Sequence, residues 1–173
     1  LHTSAFQSVR ILEAEVVRMT ANMLNGNALV CGHMTSGGTE SILLAVKAAK
    51  DFFLSKYPNR HPEIICCNSV HAAFVKAASY FNIKIIFTRL DNDYKSNPTL
   101  YEKFISKNTM MIVASAPCYP FGVIDRIEEL SKLAKKYDVW LHVDACLGGF
   151  ILPWLTQIGY DIPPFDFRLD GVS

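Results

Sequence analysis

Three places in the chain carry side chains that could do chemistry together. Asp144 stands near the end of "VWLHVDA", Val139–Ala145, the most apolar strand-like run present, and is followed by "CLGG". A carboxylate there would be poorly hydrated and would need a cation or several donors beside it. Backbone N–H groups of the Gly148-Gly149 turn would serve it as well as a cation would. His71 follows the apolar run "EIICC" and opens the next helix, with Ala72 and Ala73 beside it. Those small neighbours leave room for a flat ligand against the imidazole; a histidine simply satisfied at a helix start accounts for the same residues. The third place is Gly37-Gly38-Thr39 in "TSGGTESILLAVKAAK", Thr35–Lys50. Glycine weakens a helix, so a pair at its start implies that the backbone must approach something closely. Free N–H groups, the positive end of the helix dipole and a hydroxyl suit a phosphate. The run is neither G-x-G-x-x-G nor a Walker A sequence, which argues against NAD and ATP.

A phosphate cradle, a flat plate and a buried carboxylate together suit a phosphorylated, planar, cationic cofactor. Pyridoxal 5'-phosphate has that form, its phosphate at the helix terminus, its ring against His71 and its ring nitrogen paired with Asp144. A carboxylate that keeps the nitrogen protonated makes the ring an electron sink.

The elements that must position these residues are legible in the periodicity. Ser8 to Asn25 has apolar residues at Val9, Leu12, Val16, Met19 and Met23, a helical stripe ending at Asn25-Gly26. Ile42, Ala45, Ala49 and Phe52 mark a second helix, which Pro58 closes. Strands follow at 63–67, 84–90, 110–116 and 139–145, separated by helices over 71–81, from Asn97-Pro98 to Lys107, and over 125–137. Apolar strands alternating with helices predict an α/β fold, a mainly parallel sheet covered on both faces. Ligands of such sheets collect at the carboxyl ends of the strands, where Asp144 and His71 fall.

Composition narrows the function classes. The chain has 173 residues, half of them apolar and 19% charged, the balance of a folded protein. With 17 basic and 16 acidic side chains it lacks the charge excess of a nucleic-acid or anionic-membrane binder. No apolar run reaches transmembrane length. The five cysteines, Cys31, Cys66, Cys67, Cys118 and Cys146, include no C-x-x-C pair and predict buried free thiols rather than disulfides. No Cys or His pair has zinc-ligand spacing.

At the same residues the chain resembles a known family. "TSGGTESILLAVKAAK", "HAAFVKAASYF", "FGVID" and "LHVDACLGGF", with "LEAEVVRM" and "PFDFRLDGVS", resemble the sphingosine-1-phosphate lyases, within the group II decarboxylase branch of the fold-type-I pyridoxal-phosphate enzymes. The resemblance implies that Gly37, Gly38 and Thr39 bind the cofactor phosphate, that His71 stacks on the ring, and that Asp144 partners the ring nitrogen. It makes His71 and Asp144 the catalytic residues of this segment and sets Cys146 as a small residue under the ring's other face, no nucleophile, with no metal. It implies retro-aldol cleavage of a phosphorylated sphingoid base to a long-chain aldehyde and phosphoethanolamine. An amino-acid decarboxylase needs the same electron sink and stays open, as does a non-catalytic truncated product. In the family the Schiff-base lysine lies shortly beyond "FDFR…GVS". The expectation is therefore a partial cofactor-binding domain over residues 1–173, with the N-terminal portion, that lysine and the small C-terminal domain outside it. Homodimerisation, an anchor outside this segment and a place on the cytosolic face of the endoplasmic reticulum are further implications; the segment itself is expected to touch neither membrane nor nucleic acid.

Overall fold

A computed structural model describes residues 6–173. Four parallel strands, β1 (Glu63–Cys67), β2 (Lys84–Thr88), β3 (Thr109–Ser115) and β4 (Trp140–Asp144), form one sheet in the order β2-β1-β3-β4. The chain leaves β1 for β2 on one side and returns to β3 on the other, so the topological switch lies between β1 and β3. Their diverging connections open a crevice at the carboxyl ends of the strands.

Helices α1 (Gln7–Met23) and α2 (Gly38–Lys56) precede the sheet, and α3 (Ala72–Tyr80), α4 (Pro98–Phe104) and α5 (Ile127–Tyr137) connect its strands. Helices α2 and α3 bury Ile42, Val46, Ala49, Phe53, Phe74 and Ala77 against Ile64, Cys66, Met111 and Val113 on one face. Tyr101 of α4 and Ile127, Leu130 and Ala134 of α5 pack with Ile65, Ile112, Ala114 and Leu141 on the other. Alternate strand residues thus feed two cores, as a period of two requires. Lys50 Nζ donates to the Phe81 carbonyl at 2.6 Å and ties α2 to the end of α3, so this lysine is half-buried rather than part of a solvated face.

Several boundaries differ from the sequence reading for local reasons. Asn97 caps α4 by accepting from the N–H groups of Thr99 and Leu100, with Pro98 in the first turn. That helix stops at Phe104 because Ile105 turns extended (φ −62°, ψ 127°) and Ser106 N–H donates to Thr109 Oγ1 at 2.9 Å, leading into β3. Helix α5 begins at Ile127, because the Asp125 carboxylate is engaged elsewhere. The run after Asp144 holds a 3-10 turn (Gly148–Phe150) and a short helix α6 (Leu152–Gln157) that the periodicity does not disclose. The α1 stripe is helical as expected but uncovered: Val9, Leu12, Val16 and Met19 are 40%, 60%, 42% and 68% exposed. Cys66, Cys67 and Cys118 are buried, whereas Cys31 and Cys146 are exposed, against the expectation of five buried thiols.

Candidate active site

Strand β4 ends at Asp144, and its register sets Ser115 of β3 beside it. Trp140, His142 and Asp144 share one face of that strand, the face covered by α2 and α3. His142, edge-on to Phe74 at a centroid distance of 5.5 Å, is held below the ordinary histidine range by burial. A neutral imidazole there offers Asp144 no positive charge. The carboxylate accepts through Oδ1 from the Cys146 N–H at 3.2 Å, and among the described residues it has no cationic partner. The Gly148-Gly149 turn does not serve it: Gly149 N–H donates to the Ala145 carbonyl instead, at 2.7 Å. Asp144 is half-buried, more open than the apolar run before it implies, because among the described residues only Val172, opposite Leu141, pairs with the outer side of β4, and only Leu141 on that strand is fully covered. The expectation of a deeply sunken acid is corrected to a carboxylate at the wall of a cavity.

That cavity, about 260 Å³, is lined by His71, Ser115, Pro117, Tyr119, Asp144, Cys146 and Leu147. His71 stands at the end of β1 as the N-cap of α3, its Nδ1 accepting from the Ala73 N–H at 3.1 Å. The reading of a histidine satisfied at a helix start is realised, and the same side chain walls the cavity. With Nδ1 occupied as acceptor, the neutral ring carries its proton on Nε2.

Gly37, Gly38 and Cys146 line a second, larger groove of about 530 Å³, so Cys146 faces both spaces. Gly37 has φ 157° and ψ 173°, a region open essentially to glycine alone. A Cβ on Gly38 would stand 3.2 Å from Cys146 Sγ, so the helix start and the thiol touch. No side chain caps α2: Glu40 turns back to accept from Ser36 N–H and Oγ, and the N–H groups of Gly38, Thr39 and Glu40 have no acceptor among the described residues. Thr39 is exposed in this first turn and lines neither cavity. The thiol of Cys146 is pushed up to about 12, by burial first and then by the Asp144 carboxylate, which keeps it protonated and non-nucleophilic.

Ser115, Pro117, Tyr119 and Leu147 were not singled out in the sequence. The rule that ligands gather at strand carboxyl ends applies equally to β3, and following it into "SAPCYPFG" would have found three of the four. Asp125 positions this end of β3: Oδ1 accepts from Ser96 N–H at 2.6 Å and Oδ2 from Ser115 N–H at 2.8 Å, while burial raises its carboxyl above the usual range.

Comparison with known proteins shows the family to which the chain is similar. A family model described as "Pyridoxal-dependent decarboxylase conserved domain" matches residues 5–170. The chain is 49% identical over 178 residues to a sphingosine-1-phosphate lyase of Oryza sativa subsp. japonica, covering 100% of this chain and 33% of that protein. It is 44% identical over 164 residues to a probable L-aspartate decarboxylase of Thermococcus gammatolerans, covering 95% of this chain and 42% of that protein. Among solved structures it matches a sphingosine-1-phosphate lyase of Burkholderia pseudomallei with a TM-score of 0.95 and 39% identity, over 100% of this chain and 42% of that one. The chain therefore spans about a third of the length of the curated lyases it matches.

Proposed function

The chain belongs to the pyridoxal-dependent decarboxylase family, and on that premise we propose that its cavity holds pyridoxal 5'-phosphate in a carbon–carbon lyase acting on phosphorylated sphingoid bases. The observation that carries this reading is the meeting, at Cys146, of an uncapped helix start with the cavity walled by His71 and Asp144. The residues present fit the cofactor. Gly37 and Gly38 leave the cradle clear of side chains, and three free N–H groups suit a phosphate. Asp144 has no cationic partner among the described residues and suits a protonated ring nitrogen. His71, fixed through Nδ1, presents a flat wall, and Cys146 fills space opposite without competing as a nucleophile.

When bound, the cofactor supplies an electron sink for cleavage of the substrate's Cα–Cβ bond, releasing a long-chain aldehyde and phosphoethanolamine. Asp144 would hold the proton on the ring nitrogen, and the Cys146 N–H at Oδ1 orients the carboxylate for that task. Gly38 and Thr39 would anchor the phosphate through backbone N–H groups. His71 would exclude water from one face of the ring. The natural protein, loaded with cofactor and given sphingosine 1-phosphate, should release aldehyde, and Asp144→Ala should lower turnover about a hundredfold or more, the scale for losing one electrostatic contact. Near-normal turnover of that variant would overturn the assignment.

The 44% identity to a probable L-aspartate decarboxylase favours a second reading, amino-acid decarboxylation in the same cavity. Release of carbon dioxide from L-aspartate without aldehyde from the sphingoid base would decide for it.

We further propose that the lysine that binds the cofactor covalently lies outside this segment, beyond Ser173. No lysine lines either cavity, and Lys47, Lys135 and Lys136 pair with Asp51, Asp170 and Glu102. Val172 already pairs in parallel with Leu141, so a strand continuing from there would run beside β4 towards Asp144. Borohydride reduction of the loaded protein should label a lysine outside the eleven of this chain. A homodimer is the proposed assembly, supported by the uncovered apolar row of α1, and sedimentation would test it. Among the described residues no helix is long and apolar enough to cross a membrane. The cytosolic face of the endoplasmic reticulum is proposed on resemblance, and fractionation of cells producing the natural protein would test it.

A further inference from the structure

Tyr119 sits on the loop between β3 and α5, a residue 61% exposed to solvent that nonetheless lines the cavity. Its ring meets that of His71 edge-on, with centroids 5.7 Å apart and planes at 71°. The loop does not need this ring for its own shape. Cys118 N–H donates to the Val123 carbonyl and Gly122 N–H to the Cys118 carbonyl, each at 2.9 Å. Phe121 at the tip stacks on Tyr94 at 4.7 Å, and Asp125 ties the loop's two ends together by accepting from Ser115 N–H at 2.8 Å. The Tyr119 hydroxyl makes no hydrogen bond among the described residues. What remains is its contact with the imidazole.

His71 is tethered at one atom, Nδ1, by the Ala73 N–H. A single hydrogen bond leaves an exposed ring free to tilt about it, and a wall that tilts is a poor plate for a flat ligand. We infer that Tyr119 is a positioning residue: its ring braces the His71 imidazole edge-on, a second contact beside the Ala73 bond, and fixes the wall of the cavity. The inference rests on the reading that the cavity takes pyridoxal phosphate, and its reach is set by the strength of an aromatic edge-to-face pair. Such a pair corresponds to about threefold to tenfold in an equilibrium constant.

The test uses Tyr119→Ala and Tyr119→Phe in the natural protein, with two readouts. In cofactor-free protein, exchange of the Ala73 amide hydrogen reports how firmly His71 Nδ1 holds it. In titrations with pyridoxal phosphate alone, the dissociation constant reports the wall. Alanine should speed Ala73 exchange and weaken cofactor binding about threefold to tenfold, while phenylalanine, which keeps the ring, should match native protein in both. In a His71→Ala background, Tyr119→Ala should cost nothing further. Unchanged Ala73 exchange in the alanine variant, a full loss with phenylalanine, or an equal loss without His71 would each overturn the inference. Should native protein fail to take up the cofactor, the proposed function falls, and Ala73 exchange still decides the role of Tyr119.

Discussion

Replacing Asp125 by alanine should unfasten β3 at its carboxyl end, where Ser115 and Pro117 line the cavity. One carboxylate holds two backbone donors, Ser96 N–H at 2.6 Å and Ser115 N–H at 2.8 Å. Both serines are buried, 0% and 4% exposed, so water replaces neither bond at once. Hydrogen bonds to a charged group are worth about 1.5–3 kcal/mol each, which sets the loss of two at about 3–6 kcal/mol. Burial of the charge, the leading cause of the raised Asp125 pKa, works against this and favours the lower end. A loss on that scale lowers the melting temperature by roughly 6–24 °C for a domain of this size. The assay is thermal or urea unfolding of the natural protein, native against variant, at pH 7. The Asp125→Asn variant sharpens the test through pH. The folded carboxyl titrates above its ordinary 3.8, so the native protein loses stability as pH rises from there through the raised value. A carboxamide at this position has no proton to lose, so the gap between native and Asp125→Asn should narrow from about pH 4 to pH 7. A loss below about 1 kcal/mol for the alanine variant, or a gap that widens with pH for the asparagine variant, would refute the reasoning.

Other substitutions probe the remaining contacts. Gly148→Ala would bring a Cβ within 2.0 Å of the Ala116 carbonyl oxygen, a backbone clash that should destabilise the protein by more than the usual 1–3 kcal/mol of overpacking, measured by urea unfolding. Phe74→Ala empties a fully buried site between α3 and the sheet and should cost about 3–5 kcal/mol in the same assay. Gly37→Ala meets no neighbouring atom but must adopt φ 157°, so cofactor affinity should fall by about tenfold as the cradle shifts to relieve strain of about 1–3 kcal/mol. Cys146 is exposed yet its thiol sits at about 12, so at pH 8 an alkylating agent should leave it unmodified for far longer than an exposed thiol of ordinary acidity, as mass spectrometry of the digested protein would show.

The alternation of apolar runs with helices was enough to place all four strands and the helices between them, because β1 and β3 are buried on both faces and must be apolar throughout, and the outer strands β2 and β4 keep apolar runs as well. The Asn97-Pro98 start of α4 was equally readable, since a cap and a fixed φ act within a few residues. The small elements after Asp144 were not readable, because Gly148 through Gln157 has no strong period and is shaped by contact with Ala116 and the sheet's end. Nor could Asp125 be told from a helix cap, since its two partners lie 29 and 10 residues away.

The same division runs through the candidate site. Sequence alone determined that a glycine pair opens α2, that His71 follows β1 and opens α3, that Asp144 stands near the end of β4, and hence that all three could meet at one rim. Tertiary structure decided that Cys146 joins the two cavities, that Tyr119 stands against His71, and that Asp144 is a half-open wall with no cation beside it among the described residues. Strand ends follow from local pattern, which each segment carries in itself. Which strand forms the edge, and so how much water its last residue meets, depends on the order in which distant segments pair.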